Sequence, residues 1–189
     1  MKEIRLHGRA GQGMVTGAEL IALAANFEGK NSQAFPFFGS EKRGPPVEAY
    51  TRIDNKPITI HEEIAEPDVV IVADPSIMHE VDVCAGLKKD GIVIVNSEKK
   101  ASELKLNAKR IFTVNATNIA LKHFNKLIFN TVMLGAFCKV TDIVKIESVK
   151  RAIKEKLSEK FPQNVVEANI NAIQEVYDTM KVEKVKVKK

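Results

Sequence analysis

The stretch His7-Gly8-Arg9-Ala10-Gly11-Gln12-Gly13 decides how the start of the chain folds. It follows the alternating segment at residues 4–6 and precedes the apolar run Met14–Phe27, so the pattern predicts a turn between a first strand and a first helix. Glycines in such a turn adopt positive φ angles, and the unpaired N–H groups at the helix start attract anions. The sequence therefore predicts a phosphate or cofactor contact in this loop, and a tight turn without a ligand is the alternative.

Two familiar phosphate-binding motifs do not fit this glycine loop. A P-loop needs Lys and then Ser or Thr after its last glycine, whereas Met14 and Val15 follow here. A dinucleotide-binding motif has its short glycine spacing first, whereas the order here is Gly8-x-x-Gly11-x-Gly13. Residues 32–36, at the second predicted strand, also carry no acidic residue for a ribose. Nucleotide hydrolysis and a bound NAD are therefore disfavoured.

Length and charge indicate one globular domain followed by a basic tail. At 189 residues and 44% hydrophobic, the chain is long enough for one core and too short for two domains. We therefore assign residues 1–180 to a single domain and residues 181–189 to a Lys-rich, disordered tail. The tail holds five lysines and one glutamate, so it carries +4 of the formal net charge of +5. Because it lacks aromatic residues for base stacking, a nucleic-acid partner is disfavoured.

The N-terminus and the cysteines bear on location and cofactors. No run approaches the roughly 20 apolar residues of a membrane span, and the first residues enter a strand pattern without a signal-peptide core. We therefore expect a cytoplasmic protein with no membrane partner. Cys84 and Cys138 lie far apart among apolar residues, which is typical of buried, reduced thiols. Iron–sulfur clusters need more cysteines, so any cluster lies on another chain.

Strand and helix patterns alternate along most of the chain. Apolar runs at residues 69–73, 92–95 and 111–114 have the pattern of parallel strands buried on both faces. Polar residues follow each run, and the overall rhythm is that of βαβ units. Helical patterns lie at residues 14–27, 117–124, 132–140, 149–157 and 166–180, the last two being amphipathic.

Two further segments complete the predicted fold. Residues 47–53 and 58–60 alternate around a turn at residues 54–57, which predicts a β-hairpin. Asp74 begins a predicted helix, whose apolar side consists of Ile77, Val81, Cys84 and Leu87. The predicted fold class is α/β, as a single three-layer domain with a mostly parallel, Rossmann-like sheet, an added β-hairpin and C-terminal helices.

The sequence offers anion-binding groups without a complete active site. Arg9 lies in the glycine loop, and Arg43 lies in a second loop that is dense in Gly, Pro and charge. Guanidinium groups bind phosphate through paired N–H donors, so the two loops would form an anion site if they meet. The alternative is that residues 41–43 are a solvated loop tip. No catalytic triad, carboxylate pair or metal-ligand spacing accompanies them, and the four histidines, including His7, are isolated in sequence.

Three ordered motifs carry a resemblance to a known family. They are Gly8-Arg9-Ala10-Gly11-Gln12-Gly13, Phe35-Pro36-x-Phe-Gly39-x-Glu41-x-Arg43-Gly44-x-Pro46 and Asn130-Thr131-x-Met-Leu-Gly135. With them the chain closely resembles, over nearly its whole length, the γ subunit of 2-oxoacid:ferredoxin oxidoreductases. Within that family, the chain resembles most the γ subunit of the pyruvate enzyme of the separate-subunit type. Ala10 is a mild departure, because the family often has a glycine at that position.

The resemblance implies a subunit that assembles with α, β and δ subunits and serves ferredoxin through the complex. In that family thiamine diphosphate with Mg²⁺ lies between the α and β subunits, 4Fe–4S clusters lie on β and δ, and coenzyme A accepts the acyl group. The implied role of the γ chain is to help bind coenzyme A, with no catalytic or metal-ligating residue and no cofactor of its own. The implied contacts to coenzyme A or a neighbouring subunit are Gly8, Arg9, Ala10, Gly11, Gln12, Gly13, Gly39, Glu41, Arg43, Gly44, Asn130 and Thr131.

The expected function is therefore that of a γ subunit of pyruvate:ferredoxin oxidoreductase, inactive when isolated. The resemblance places the oxoacid pocket on other chains, so related complexes for 2-oxoglutarate, 2-oxoisovalerate or indolepyruvate stay open. A purely structural assembly subunit is a further alternative. A stand-alone nucleotide-binding oxidoreductase is supported only by the βαβ rhythm and the first loop.

Overall fold

A computed structural model describes residues 1–38, 46–126 and 128–182 of the chain. Along these residues lie six strands and five helices, which are, in chain order, β1 (Lys2–Arg9), α1 (Met14–Phe27), β2 (Asn31–Phe38), β3 (Pro46–Asp54), β4 (Val69–Val72), β5 (Ile92–Asn96), β6 (Arg110–Val114), α2 (Ala116–Phe124), α3 (Asn130–Thr141), α4 (Ile146–Ser158) and α5 (Gln163–Thr179). Short 3₁₀ turns lie in the β4–β5 and β5–β6 connections, at Pro75–His79 and Ala101–Glu103. From residue 183 onward, the predicted tail lies outside the described residues.

The strands form one sheet in the order β2-β3-β1-β4-β5-β6. Strands β1, β4, β5 and β6 run parallel, whereas β3 is antiparallel to both β1 and β2. Every residue of β4 and β5 is buried, as the continuous apolar runs predict. The prediction of a single α/β domain with a mostly parallel sheet is confirmed. The carboxyl ends of the parallel strands meet at one edge, the carboxyl edge, where the glycine loop leaves β1.

The five described helices lie on one side of the sheet, where α1 and α3 contact the strands and α2, α4 and α5 pack against other helices. The main core joins strand residues such as Ile4, Ile71 and Ile94 to the buried sides of α1 to α5. Helices α3 and α5 pack closely, since a Cβ atom at Gly135 would lie 2.6 Å from the carbonyl oxygen of Ile173. The two amphipathic helices predicted at the end of the chain are confirmed as α4 and α5. None of the described helices has the length and apolar composition that crossing a bilayer requires.

Irregular segments cover the opposite face of the sheet. Val70, Val72, Val93 and Val95 form a second core there, beneath the β4–β5 and β5–β6 connections. The helix predicted from Asp74 to Leu87 is only partly correct. Asp74 is its N-cap and Pro75 lies in its first turn, as predicted, but it is a five-residue 3₁₀ helix that ends at His79, and a series of turns follows. The third layer of the predicted fold therefore consists of turns where the sequence suggested a helix.

The geometry near Gly86 explains why no helix continues there. Gly86 adopts a φ of 69°, and a Cβ atom at this position would lie 1.9 Å from the carbonyl oxygen of Ala65. The N–H of Lys88 donates to the carbonyl oxygen of Pro67 at 3.1 Å. The N–H of Lys88 therefore does not continue a helical ladder, and the N–H groups of Ala85 and Leu87 bond within single turns, to Asp82 and Cys84.

The predicted hairpin between residues 47–53 and 58–60 is also wrong. Strand β3 pairs with β1 and β2, so the antiparallel hairpin of this domain is β2–β3. Residues 58–60 form no strand. The alternating pattern of these residues is too short to outweigh the tertiary contacts that hold them.

Two buried arginines hold the segment that contains residues 58–60. Arg52 on β3 donates to the carbonyl oxygens of Ile60 and Glu63, at 3.4 and 3.3 Å. Arg5 on β1 donates to the carbonyl oxygen of Ile64 at 3.4 Å. These carbonyl groups are satisfied by guanidinium donors, so the segment crosses the sheet face as an irregular chain.

Candidate functional site

The glycine loop between β1 and α1 is the strand-to-helix turn that the sequence predicts. Gly11 and Gly13 adopt left-handed φ angles of 84° and 75°. Gly13 is the N-cap of α1 and accepts the N–H of Gly17 at 2.9 Å, while no side chain caps this helix start. The loop therefore presents backbone N–H groups at the carboxyl edge of the sheet, beside the positive end of the α1 dipole.

Gln12 holds the loop in this conformation. Its Oε1 atom accepts the backbone N–H of Arg9 at 2.7 Å, and its Nε2 atom donates to Oδ2 of Asp74 at 2.7 Å. The backbone N–H of Gln12 donates to the carbonyl oxygen of Arg9 at 3.1 Å. Both ends of the Gln12 amide are thus used within the protein.

Arg9 is bound by groups that follow β4. Its guanidinium forms an ion pair with Glu80, lies 3.7 Å from Oδ2 of Asp74 and donates to Oγ of Ser76 at 2.9 Å. The hydrogen bond that Arg9 donates to Glu80 raises the pKa of Arg9. The structure therefore gives Arg9 carboxylate partners of its own, which weakens its predicted role as a charge partner of a bound phosphate.

Asn130 lies against the glycine loop. A Cβ atom at Gly13 would lie 2.5 Å from Nδ2 of Asn130, so only glycine allows this approach. The Oδ1 atom of Asn130 is buried, with no hydrogen-bond partner among the described residues. The first and third sequence motifs thus meet at one place, and they leave an unsatisfied acceptor beside the loop.

Thr131 faces away from the loop, although the resemblance implied a ligand or subunit contact for it. Its hydroxyl donates to Oδ1 of Asn169 on α5 at 2.7 Å, and the residue is buried. Asn169 in turn donates to the carbonyl oxygen of Val165 at 2.8 Å. Within this structure Thr131 joins α3 to α5.

Replacing Thr131 by valine tests this structural role. The change preserves the shape of the side chain and leaves Oδ1 of Asn169 without its donor, so we expect the free energy of unfolding to fall by about 1–2 kcal/mol. Urea unfolding of the purified chain measures this loss. The affinity of any ligand at the glycine loop should stay at the wild-type value, and a change in that affinity at wild-type stability would restore Thr131 to the site.

The remaining predicted site residues divide into two groups. Gly8 lies beneath Met14, since a Cβ atom there would lie 2.7 Å from Cγ of Met14, and Ala10 is exposed. Gly39, Glu41, Arg43 and Gly44 lie outside the described residues. The end of the second loop adjoins the glycine loop all the same, because Pro46 is the register partner of Arg9.

Sequence reasoning missed the polar residues that support the carboxyl edge. Asp74 binds Gln12 and the N–H of Ser76, and Asn96 at the end of β5 donates to the carbonyl oxygen of Ala73 at 2.9 Å. A signal was present, because a polar residue directly follows each buried apolar run. In parallel sheets such positions meet at one edge, so they could have been assigned to the site.

Burial shifts the pKa values of titratable side chains in the described core. His7 is buried, and its Nε2 atom accepts from Nε of Arg5 at 3.0 Å. Burial first, and the charge of Arg5 second, lower the pKa of His7 to about 3, so its imidazole is neutral at pH 7. Cys84 and Cys138 are free and buried, and burial raises the pKa of Cys138 to about 12. Among the described residues, no three His, Cys, Asp or Glu side chains could share a metal ion.

Comparisons with known proteins place the chain in a family. Residues 3–179 match the family model of pyruvate ferredoxin/flavodoxin oxidoreductase. The chain belongs to this family. It is 53% identical to the pyruvate/ketoisovalerate oxidoreductases common subunit gamma of Pyrococcus furiosus, over 96% of this chain and 98% of that protein. It is 50% identical to the pyruvate synthase subunit PorC of Methanocaldococcus jannaschii, over 95% and 97% of the two chains.

A solved structure supports the same family membership. The pyruvate oxidoreductase subunit PORC of Thermotoga maritima is 38% identical and superposes with a TM-score of 0.82, over 95% of this chain and 97% of that chain. The family resemblance expected from the three motifs is thus confirmed, and the match extends over nearly the whole of both chains.

Proposed function

We propose that the chain is the γ subunit of a pyruvate:ferredoxin oxidoreductase, in which pyruvate, coenzyme A and oxidised ferredoxin yield acetyl-CoA, CO₂ and reduced ferredoxin. The family membership and the near-complete match to gamma and PorC subunits support this proposal. In the proposed complex, α, β and δ subunits carry thiamine diphosphate, Mg²⁺ and 4Fe–4S clusters. The γ chain is expected to be inactive alone and to complete the coenzyme A site.

Two features of the described residues bear on this division of work. The two cysteines of the chain lie in separate apolar cores, so they do not suit a 4Fe–4S cluster, which takes several thiolates together. The carboxylates at the carboxyl edge, Asp74 and Glu80, are bound to Arg9 and do not form a set of metal ligands. We assign the redox and thiamine chemistry of the proposed reaction to the partner subunits, as the family resemblance implies.

One arrangement carries the proposed role in coenzyme A binding, namely the left-handed glycines Gly11 and Gly13 with Asn130 packed against them. Backbone N–H groups of such a loop bind phosphate oxygens. The unpaired Oδ1 atom of Asn130 instead suits an N–H or O–H donor. Coenzyme A carries phosphates and amide N–H groups, so we infer that the loop and Asn130 bind it together. Contacts from Gly8, Ala10, Gly39, Glu41, Arg43 and Gly44 stay predictions.

Replacing Asn130 by aspartate tests this role. The change keeps the shape of the side chain and adds a negative charge beside the loop, so phosphate groups should be repelled by about 1 kcal/mol. We expect the KM for coenzyme A to rise about fivefold in the assembled four-subunit complex, with the KM for pyruvate unchanged. Initial rates of ferredoxin reduction at varied coenzyme A concentration measure this change.

Asn118→Asp is the matched control for that experiment. Asn118 is exposed in the first turn of α2, so the same change adds the same charge away from the glycine loop. We expect its KM for coenzyme A to equal that of the wild type. Equal KM values in the two variants would remove Asn130 from the coenzyme A site.

A shared γ subunit for two oxoacid enzymes is the second candidate function. The relative from Pyrococcus furiosus that is 53% identical is named as the common subunit of pyruvate and ketoisovalerate oxidoreductases. If this chain is likewise shared, affinity purification of the tagged chain from its native host should yield two sets of partner subunits. The purified material should then oxidise both pyruvate and 2-oxoisovalerate, whereas a dedicated subunit yields one set and one activity.

A further inference from the structure

The side chains of Gln12 and Asp74 connect the glycine loop to the end of the neighbouring strand. Gln12 belongs to the loop, while Asp74 follows β4. The N–H of Ala73 donates to the carbonyl oxygen of His7 at 2.9 Å, so a backbone hydrogen bond already joins the two strand ends. We propose that the Gln12–Asp74 hydrogen bond is a latch that positions the loop for its ligand, and that both are positioning residues. This inference rests on the proposed function, in which the ligand is coenzyme A.

The hydrogen bonds of the latch fix which group donates and which accepts. The N–H of Arg9 must meet an oxygen, so the Gln12 amide presents Oε1 to Arg9 and Nε2 to Asp74. The other oxygen of Asp74, Oδ1, accepts the N–H of Ser76 at 3.0 Å and its hydroxyl at 2.7 Å. Every polar side-chain atom of the Gln12–Asp74 pair therefore has a partner inside the protein. Gln12 is thus assigned to the loop's support, and not to contact with the ligand as the resemblance implied.

The charges around the latch favour this arrangement. Partial burial opposes the charged form of Asp74, but the hydrogen bonds from Ser76 and Gln12, with the charge of Arg9, lower its pKa. Arg9 and Glu80 are the other charged groups that the structure describes beside it. Since Arg9 is shared between two carboxylates, this cluster does not supply a net positive charge to the loop. Anion binding is then left to the backbone N–H groups that the latch holds in place.

The latch has a structural reason to exist, because the loop is rich in glycine. Gly11 and Gly13 allow the left-handed angles that the turn requires. They also allow the unbound loop more backbone conformations, so ordering the loop costs more conformational entropy. A side chain that bridges from the loop to the adjacent strand removes that freedom before the ligand arrives. The expected consequence is a lower KM for the ligand without a direct contact.

An exchange of the two functional groups tests the latch. Gln12→Glu places a second carboxylate at hydrogen-bond distance from Asp74, and Asp74→Asn places an N–H donor against the Nε2 atom of Gln12 or the N–H of Ser76. Each single variant therefore loses the match of donor and acceptor. In the double variant, the carboxylate introduced at position 12 accepts from Arg9 and from the amide introduced at position 74. That amide still presents its oxygen to Ser76, so the latch is restored with the net charge unchanged.

The assembled complex provides the kinetic measurement. At pH 8 we expect each single variant to raise the KM for coenzyme A about tenfold with a smaller effect on kcat, and the double variant to return it to within about twofold of wild type. The Gln12→Glu defect should also depend on pH. Two facing carboxylates raise the pKa of one of them, and below that pKa a shared proton rebuilds the bond, so the defect should shrink towards pH 6.

Hydrogen exchange of the backbone amides in residues 8–17 supplies a measurement that does not involve coenzyme A. We expect faster exchange in the Gln12→Glu complex and wild-type exchange in the double variant. Unchanged exchange in Gln12→Glu, or failure of the double variant to restore it, would overturn the latch. A third outcome is faster exchange in Gln12→Glu, wild-type exchange in the double variant and the same KM for coenzyme A in both. It would support the latch and count against the proposed coenzyme A role.

Discussion

Replacing Arg5 by methionine is expected to lower the free energy of unfolding by about 3–5 kcal/mol. Arg5 is 6% exposed, and its guanidinium donates to Nε2 of His7 and to the carbonyl oxygens of Ile64, Val83 and Ala85. Methionine fills much of the same volume but supplies no donor, so these acceptors lose their partner away from bulk water. Urea unfolding measures the loss, and the melting temperature should fall by about 2–4 °C for each kcal/mol.

Arg110→Met is the matched control, because it removes the same group from an exposed position. Arg110 makes a single described hydrogen bond, at 3.4 Å, to the carbonyl oxygen of Asp90. We expect the free energy of unfolding to change by no more than about 0.5 kcal/mol. If both variants lose the same stability, the carbonyl contacts of Arg5 do not hold the irregular segments to the sheet.

The buried arginines also show where reasoning from the sequence stops. The alternating residues of β1 and β3 predict a strand with one polar face, and polar faces usually meet water. Here that face is covered, because Arg5 and Arg52 supply donors to the carbonyl groups of residues 60–64. These hydrogen bonds join positions between 8 and 59 residues apart, which no local pattern records. This is why residues 58–60 were assigned to a hairpin.

Buried parallel strands were predictable for the opposite reason. A strand such as β4 or β5 lies between two apolar layers, so all of its residues are apolar or buried. Its burial can therefore be predicted from its own composition, without knowing which segments cover it. The connections between these strands carried apolar residues at helical spacing, yet they fold as turns. Contacts with a neighbouring segment decide this fold, since Gly86 adopts a φ of 69° and the N–H of Lys88 donates to Pro67. The helical spacing of Ile77 and Cys84 could not reveal those contacts.

The site shows the same division between local and distant information. The order of glycines predicted the left-handed turn before α1, because φ angles are a local property. The resemblance implied contacts to coenzyme A or a neighbouring subunit for both Asn130 and the loop, and the structure brings the two together. Composition alone could not separate Asn130 from its neighbour Thr131, since one faces the loop and the other faces α5. Which side of a helix start meets a ligand is decided by packing.

Replacing Gly13 by alanine is expected to raise the KM for coenzyme A about ten- to a hundredfold in the assembled complex. The φ of Gly13 is 75°, so an alanine there costs about 1–2 kcal/mol of backbone strain. Its Cβ atom would also lie 2.5 Å from Nδ2 of Asn130 and would displace that side chain from the loop. Steady-state kinetics at varied coenzyme A, with urea unfolding of the same variant, measures both effects.

Gly29→Ala separates the strain from the site. Gly29 lies just beyond the other end of α1 with a φ of 74°, and a Cβ atom there meets nothing within 4 Å. The two variants therefore share the backbone penalty, and they should lose similar stability, by about 1–2 kcal/mol. Only Gly13→Ala disturbs Asn130, so only it should change the KM for coenzyme A. Equal KM values would mean that the close approach of Gly13 and Asn130 serves packing alone, because strain of the same size acts at both ends of the helix.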